Sequence, residues 1–256
     1  MDDTQTSAWS APIEPVSRAP LSPLGRPVLT MRWELLTYLH WPVAPEAVAA
    51  LLPRGLVPDV HGGHAWVGLV PFRMARIDLA GRLKLPQGSF PETNVRTYVV
   101  GPDGGRGVYF HSLDVPYLAP TVVARTTYRL PYCWSRMRLG ARGDERGYLA
   151  VRRWPSADGA RSRVIVGVGE RLQDHEVTPL DDFLSARWSL YDVTPGGRVI
   201  RAHVEHPAWT LRQAEVRVLD DDLVASAGYD LGAAEPVHVR AAEAVEVRVD
   251  RPRVVG

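Results

Sequence analysis

The sequence predicts a single α+β domain built on a curved antiparallel β-sheet or barrel, with two or three short flanking helices. Apolar runs and period-two alternation recur from residue 57 onward, whereas few segments have helical spacing. Glycine-rich turns separate these runs. No internal repeat, heptad run or low-complexity linker divides residues 29–256, so one domain is expected there.

The start of the domain combines a strand with a helix. The aromatic and apolar stretch MRWELLTYLHW (31–41) predicts a strand. The apolar residues of PVAPEAVAALLPRGL fall on one helical face between Pro45 and Pro53, which predicts a short helix. Residues 1–28 carry five prolines without hydrophobic periodicity. We therefore expect a mobile or surface-wrapping arm over 1–28 and the folded domain over 29–256.

The rest of the chain is predicted mostly as strands. A Gly-Gly turn divides VPDVHGGHAWVGLVPFRM into two apolar runs, and the loop GPDGGRG separates ETNVRTYVV from VYFHSLDV; both patterns are typical of hairpins. A short helix is expected over 119–130, and another in TPLDDFLSARWSLY, which opens with the capping residue Thr178. Further strands are predicted over 145–154, 162–169, 199–219 and 244–255.

Composition narrows the classes of partner. The formal net charge is +1, so neither nucleic acid nor an anionic membrane surface is indicated. The single cysteine, Cys133, cannot form an internal disulfide or a cysteine-rich zinc site, which fits a reducing cytosol. No apolar run reaches the roughly 18 residues of a spanning helix, and no signal peptide is recognisable. We expect a cytoplasmic protein that does not bind membranes.

Three polar motifs have plain structural explanations. The pairs HGGH (61–64) and HVEH (203–206) place two histidines on one face only in a helix, whereas both lie in predicted turn or strand. The loop GPDGGRG lacks the GK[ST] ending of a phosphate-binding loop. HSLD (111–114) has the residue types of a hydrolytic triad, but triads are assembled from separated segments. No metal and no cofactor is therefore predicted.

One predicted strand, SFPETNVRTYVV, carries polar residues on a single face. Glu92, Asn94 and Arg96 are separated by even intervals, so an extended backbone directs all three to the same side. On an ordinary strand that side faces water. Inside a closed sheet it lines a polar cavity, where each buried group needs a partner or a ligand. The residues alone leave both alternatives open.

Five blocks of the sequence resemble one protein family. The chain is similar to the YqjF-like family of bacterial proteins of unknown function in RWELLTYLHWPVAPEAVAALLPRGLVPDVHGGHAWVGLVPFRM, FPETNVRTYVV, GVYFHSLD, ARTTYRLPYCWSRM and VEHPAWTLRQAEV. The resemblance runs in order from Arg32 toward the C-terminus. That family is similar in turn to acetoacetate decarboxylase, which implies one domain around a curved, cone-like β-barrel with a buried pocket.

The resemblance also bears on the reaction. Acetoacetate decarboxylase forms a Schiff base through a lysine in a YPKK stretch, and RLPYCW has Tyr132 and Cys133 where those two lysines stand. Lys84 is the only lysine of the chain and matches no catalytic position, so amine catalysis is not expected. The resemblance implies that Arg32 and Glu92 correspond to the arginine and the glutamate of the pocket.

Three functional hypotheses follow: a lyase- or isomerase-type enzyme acting on a small oxo-acid or related carbonyl compound, a non-catalytic small-molecule binding protein, or an interaction protein with a filled barrel. In the first, Arg32 anchors an anion, Glu92 transfers a proton and Tyr132 polarises the carbonyl group. Cys133 is either a nucleophile or inert packing. The expected substrate-binding residues are Asn94, Arg96, His40, His111, Cys133 and Trp134. The sequence leaves a homo-oligomer open.

Overall fold

A computed structural model of the chain describes residues 11–79, 83–84, 88–117, 130–155 and 159–256. Within these ranges, strands predominate over three short helices. The helices are α1 (Pro45–Ala49), α2 (Pro179–Ser185) and α3 (Leu223–Ser226). The strands are β1 (Leu29–Glu34), β2 (Leu36–Val43), β3 (Val57–Pro58), β4 (Ala65–Leu79), β5 (Leu83–Lys84), β6 (Phe90–Val100), β7 (Arg106–Val115), β8 (Tyr132–Arg142), β9 (Glu145–Trp154), β10 (Arg161–Arg171), β11 (Ser189–Val193), β12 (Val199–Glu205), β13 (Leu211–Asp221), β14 (His238–Ala242), β15 (Val245–Val249) and β16 (Arg253–Val254).

The described strands form one curved sheet. Their order is β1-β15-β12-β11-β7-β8-β9-β10-β13-β14-β2-β4-β6-β3, with β5 beside β4 and β16 beside β12. Additional pairings of β1 with β4 and of β6 with β7 close this path into a ring-like sheet. The predicted curved, mainly antiparallel sheet is confirmed. Two parallel pairings, of β7 with β8 and with β11, are the additions.

The strand predicted over 31–41 is in fact two strands. Leu35 interrupts it with a φ of 50°, a left-handed conformation that costs a leucine free energy. The break lets β1 pair with β15 while β2 pairs with β14. The Leu35 carbonyl oxygen then accepts a hydrogen bond of 2.6 Å from the Tyr148 hydroxyl, which helps to hold the turn.

The two predicted hairpins have different outcomes. The loop GPDGGRG does connect two antiparallel partners, β6 and β7. The Gly-Gly turn carries only an isolated bridge between His61 and His64, and β3 before it pairs with β6 rather than with β4. That hairpin prediction was wrong because both apolar runs pair antiparallel with β6, one after the other, and so run in the same direction rather than against each other.

The predicted helices are shorter than the apolar patterns suggested. α1 ends at Ala49, well before Pro53. α2 begins after Thr178, whose hydroxyl accepts from the Asp181 amide while the Asp181 carboxylate accepts from the Thr178 amide; this is a capping box. The helix expected over 119–130 lies outside the described residues, except for Leu130.

The central strands are buried on both faces. We call the two cores the Phe72 core and the Leu69 core. The Phe72 core includes Met31, Tyr38, Val70, Phe72, Val204 and Val247. The Leu69 core includes Leu39, Val67, Leu69, Val95 and Val164. Because neighbouring residues of β2, β4 and β6 alternate between these cores, every side chain on those strands has an assignable side.

The described part of the N-terminal arm lies against the sheet and α2. The Glu14 carboxylate pairs with Arg201 at 2.9 Å, and Arg18 pairs with Asp182 at 2.8 Å. The Trp188 indole N–H donates to the Ser17 carbonyl oxygen at 2.9 Å. Across the described ranges, we find no helix with the length and apolar character needed to cross a membrane.

Candidate functional site

Strand β6 carries four polar side chains on the face that it shares with Phe72. Glu92 lies opposite Phe72 and Asn94 lies opposite Val70, and Arg96 and Tyr98 continue the same alternation. All four side chains are buried. Of the two alternatives left by the sequence, the interior one therefore holds.

Glu92 and Asn94 each have an oxygen atom without a hydrogen-bond partner among the described residues. The Glu92 side chain is 3% exposed, and its Oε2 accepts no hydrogen bond from any described residue. The Asn94 Oδ1 is also buried and accepts no hydrogen bond from a described residue. Burial, with a smaller contribution from Asp114, raises the pKa of Glu92 to about 8. The Glu92 carboxyl is therefore mainly protonated at neutral pH and is able to donate a hydrogen bond.

Tyr132 faces the same interior as Glu92. On β8 it lies beside Leu113 in the parallel pairing with β7, and Leu113 lies opposite Asn94. Burial raises the pKa of the Tyr132 hydroxyl, and the Glu92 carboxyl raises it further. Trp134, two residues along β8 and half-buried, is on the same side. The structure thus brings Glu92, Asn94 and Tyr132 together.

Cys133 lies on the opposite side of β8, toward the Leu69 core. Its neighbour across the parallel pairing is Asp114, which accepts a hydrogen bond of 2.6 Å from Ser135. Arg152 also donates to both carboxylate oxygens of Asp114, at 3.0 and 2.7 Å. The Cys133 thiol donates weakly to the Pro131 carbonyl oxygen at 3.6 Å. The alternation of β8 therefore separates Cys133 from Glu92.

His111 is also directed away from Glu92. It sits at a bulge, because Ser112 pairs with Val95 while Phe110 pairs with Arg96. Its Nε2 lies 2.8 Å from the hydroxyl of Tyr229, a residue of the Leu69 core. Burial lowers the pKa of His111 to about 4, which keeps the ring neutral.

Arg32 lies on the outer surface of the sheet, and the structure does not bring it to Glu92. Its guanidinium pairs with Glu34 and with Glu246, each at 2.9 Å. Arg73 shares Glu34, and Arg73 alternates with Phe72, which faces Glu92. On β1 the inward positions are taken by Met31 and Trp33, so the residue between them points out.

Arg96 is the arginine that the interior contains. Its Nε and Nη2 donate to the Tyr98 hydroxyl at 3.2 and 3.1 Å, and Nη2 also reaches the Leu184 carbonyl oxygen at 3.2 Å. The guanidinium lies 5.3 Å from the centre of the Tyr38 ring. Within the described ranges, Arg96 forms no ion pair with a carboxylate.

A chain of hydrogen bonds connects Tyr98 to Asp181. The Tyr98 hydroxyl is 2.6 Å from His40 Nε2, and His40 Nδ1 is 3.0 Å from His238 Nδ1. His238 Nε2 is 2.9 Å from Asp181 Oδ1, which also accepts from Arg240. Of these residues, the sequence had indicated only His40. A separation of 198 residues between the two histidines leaves no local signal.

Arg187 is the second buried arginine at Tyr98, and the sequence did not indicate it either. It lies 4.9 Å from the centre of the Tyr98 ring. One of its terminal nitrogens, Nη1, donates to Asp59 at 2.5 Å, while Nη2 has no partner among the described residues. Asp59 is shared with Arg106.

A small cavity opens beside this polar interior. Its volume is ≈ 80 Å³, and its walls include Trp188, His206 and Trp209. Trp209 meets the Tyr38 ring edge-on, with 5.9 Å between ring centres. A wider groove of ≈ 390 Å³, lined by Arg146 among others, includes none of the candidate residues. No group of three or more histidine, cysteine or acidic side chains in the described ranges is placed to hold a metal ion.

Comparison with known proteins gives the chain a family and a fold. The DUF2071 family, described as an uncharacterized conserved protein, matches residues 30–246. The uncharacterized protein YqjF of Bacillus subtilis (strain 168) is 29% identical over 218 residues, which are 84% of this chain and 88% of that protein.

Two solved structures have the same fold at low sequence identity. An acetoacetate decarboxylase-like enzyme from Sphingomonas wittichii RW1 is 11% identical with a TM-score of 0.61, over 90% of this chain and 93% of that one. The enduracididine biosynthesis enzyme MppR in complex with pyruvate is 15% identical with a TM-score of 0.57, over 91% and 92% of the two chains. Since the family match spans most of its length, the chain belongs to the DUF2071 family and has an acetoacetate decarboxylase-like fold.

Proposed function

We propose that the interior beside β6 binds a small oxo-acid or related carbonyl compound and catalyses a lyase- or isomerase-type step on it. Glu92 would be the proton-transferring residue, with Asn94 and Tyr132 as contacts to the same molecule. The reaction would not pass through a Schiff base.

The pair of unpartnered oxygens on Glu92 and Asn94 carries this proposal. Both atoms are buried, and neither receives a hydrogen bond from the described residues. A buried polar atom without a partner costs about 1–3 kcal/mol of stability, so two of them on one strand indicate a functional role rather than a structural one. A bound molecule with hydrogen-bond donors and acceptors would satisfy both atoms.

The protonation state of Glu92 suits acid catalysis. With its pKa raised to about 8, the neutral carboxyl would donate its proton to a carbonyl oxygen as charge develops there. Tyr132, whose pKa is raised, remains a neutral hydroxyl and would donate a second hydrogen bond to that oxygen. MppR, which shares this fold, binds pyruvate, and this supports an oxo-acid as the class of ligand.

The lysine content argues for chemistry other than amine catalysis. Lys84, the only lysine, lies in β5, which pairs with Asp78 and Leu79 at the end of β4. Tyr132 and Cys133 occupy the β8 positions where the resemblance to acetoacetate decarboxylase would require lysines. Reduction with borohydride in the presence of pyruvate should therefore leave the protein mass unchanged. A pyruvate adduct at Lys84 would contradict this part of the proposal.

A turnover screen tests the proposal directly. Wild type and Glu92→Gln would be incubated with pyruvate, acetoacetate and longer oxo-acids at pH 7, and the products followed by proton NMR. Loss of a general acid should slow turnover by about 10²- to 10⁴-fold in Glu92→Gln. The exposed Glu235→Gln is the matched control and should retain wild-type turnover.

Thermal shifts measured alongside separate catalysis from binding. Stabilisation by an oxo-acid without turnover would favour the non-catalytic binding protein. If no carbonyl compound were turned over and none stabilised the protein, both functions would be contradicted.

A further inference from the structure

Arg96 is a buried cation whose hydrogen-bond partners among the described residues are all neutral. Its side chain is 8% exposed, and its hydrogen bonds go to the Tyr98 hydroxyl and to the Leu184 carbonyl oxygen. No carboxylate in the described ranges lies within ion-pair distance of it. An uncompensated buried charge costs several kcal/mol, so the position favours an anion that the fold itself does not supply.

The surroundings of Arg96 do not supply that negative charge. Burial lowers the pKa of His40 and of His206, and the charge of Arg96 lowers both further, so neither ring is protonated at neutral pH. Arg187 adds a second guanidinium on the Tyr98 ring, with Nη2 unpartnered. Asp59, its ionic partner among the described residues, is shared with Arg106. The net charge around Tyr98 is therefore positive among the described residues.

The position of Arg96 along β6 sets a distance to Glu92. The two residues are four apart on an extended strand, which separates their Cα atoms by about 13 Å. The Arg96 guanidinium is held by Tyr98, which is two residues further from Glu92. Burial and Asp114 account for the raised pKa of Glu92, without a contribution from Arg96. A molecule as short as pyruvate would not reach both groups.

Asn94 lies midway between Glu92 and Arg96 on the same face, with Oδ1 unpartnered. The three side chains therefore form one line of polar groups. The cavity of ≈ 80 Å³ is lined by Trp209 and by none of these three residues. Trp209 contacts Tyr38, and Tyr38 contacts the Arg96 guanidinium.

We propose that Arg96 binds the carboxylate of an elongated oxo-acid whose carbonyl oxygen lies at Glu92. This inference rests on the function proposed for Glu92 and specifies the ligand of that site. Because the Arg96 guanidinium is turned toward Tyr98 and away from Glu92, the Cα spacing less two hydrogen bonds gives a minimum separation of about 7 Å between the two oxygen functions. That distance corresponds to a chain of about six bonds between carboxylate and carbonyl oxygen.

A chain-length series tests the inference. Isothermal titration calorimetry at pH 7 would compare pyruvate, 4-oxopentanoate, 6-oxoheptanoate and 8-oxononanoate. We expect the tightest binding for 6-oxoheptanoate and at least 30-fold weaker binding for pyruvate. Equal affinity for pyruvate and 6-oxoheptanoate would overturn the inference.

Variants identify the arginine. Arg96→Gln should weaken 6-oxoheptanoate at least 30-fold, and Arg96→Lys, which keeps the charge, should weaken it less. Arg32→Gln is the matched control, because Arg32 lies on the outer surface, and it should bind like wild type. Circular dichroism and melting temperature would establish that each variant is folded. Weakening by Arg32→Gln but not by the Arg96 variants would contradict the assignment.

Two truncated probes distinguish the failure of this inference from the failure of the proposed function. Heptan-2-one lacks the carboxylate and should bind weakly, in a manner sensitive to Glu92→Gln but not to Arg96→Gln. Heptanoate lacks the carbonyl and should show the reverse. Glu92-dependent binding of the ketone without any effect of Arg96 would leave the proposed function standing and reject the Arg96 site. Arg96-dependent binding of heptanoate with no ketone binding would reject the proposed function at Glu92 and leave the Arg96 carboxylate site standing.

Discussion

His40 and His238 face each other through their Nδ1 atoms, 3.0 Å apart and buried. A single proton lies between these atoms, so one ring donates and the other accepts. Burial opposes the ionisation of Asp181, but the hydrogen bonds from His238 and Thr178 outweigh this effect and hold the pKa of Asp181 below its ordinary value. The Asp181 carboxylate is therefore an acceptor only. This fixes which atom donates and which accepts in each hydrogen bond from Asp181 to Tyr98.

The first prediction concerns the tautomers of this pair. His238 Nε2 must donate to Asp181, so its Nδ1 accepts and His40 Nδ1 donates. His40 Nε2 is then an acceptor, and the single Tyr98 hydroxyl proton goes to it at 2.6 Å rather than to the Leu184 carbonyl oxygen at 3.0 Å. Two-bond proton–nitrogen correlation spectra at pH 7 should show Nδ1–H on His40 and Nε2–H on His238. Arg240→Gln leaves this order unchanged as a control, whereas Nε2–H on His40 in the wild type would show that the chain runs the other way.

The second prediction uses the close approach of β4 to His40. A Cβ added at Gly68 would lie 2.7 and 2.8 Å from two atoms of the His40 ring. Gly68→Ala must displace that ring and should lower the free energy of unfolding by about 1–3 kcal/mol. Gly140→Ala, where nothing lies within 4 Å of the added atom, is the matched control. Equal stability of the two variants in urea titrations would count against this contact.

The third prediction concerns the buried ion pair behind Cys133. Arg152 and Asp114 are 7% and 0% exposed and bond through two parallel contacts. Asp114→Ala leaves the guanidinium uncompensated and should cost about 3–5 kcal/mol of unfolding free energy. Asp220→Ala breaks the exposed pair with Arg161 at 3.3 Å and should cost less than about 1 kcal/mol. Similar losses in both variants would mean that Arg152 is not left as an uncompensated buried charge when Asp114 is removed.

The sequence predicts the interior face of β6 because alternation along one strand is a local property. Even spacing is sufficient to place Glu92, Asn94 and Arg96 together, and the resemblance to a known family supplied the closed sheet around them. Arg32 shows the limit of that resemblance. A shift of one position along β1 exchanges inside for outside, and Trp33 occupies the inner place.

The remaining site residues depend on long-range packing. Asp181 is recognisable in sequence only as part of a helix cap, and its hydrogen bond to His238 spans 57 positions. The β1–β2 break at Leu35 is equally hidden, since a leucine with positive φ has no local signature. Such features depend on which strands become neighbours, and single-segment patterns do not encode that.

The fourth prediction concerns the pH dependence that Glu92 gives to stability. In the unfolded chain a glutamate loses its proton near pH 4.5, whereas burial keeps the folded carboxyl protonated up to a pKa of about 8. Between these values the folded state binds more protons, so the contribution of Glu92 is fully present below pH 4.5. It is lost progressively as the pH rises toward 8.

Comparison with Glu92→Gln isolates this contribution, because glutamine is neutral at every pH and similar in shape. The unfolding free energy of the wild type should fall relative to Glu92→Gln by about 1.4 kcal/mol per pH unit within the window. Urea titrations at pH 5, 6, 7 and 8 would measure this slope, with the exposed Glu235→Gln as control. If the wild-type and Glu92→Gln profiles ran parallel, Glu92 would be ionised in the folded protein. It would then be unable to donate the proton that the proposed reaction requires.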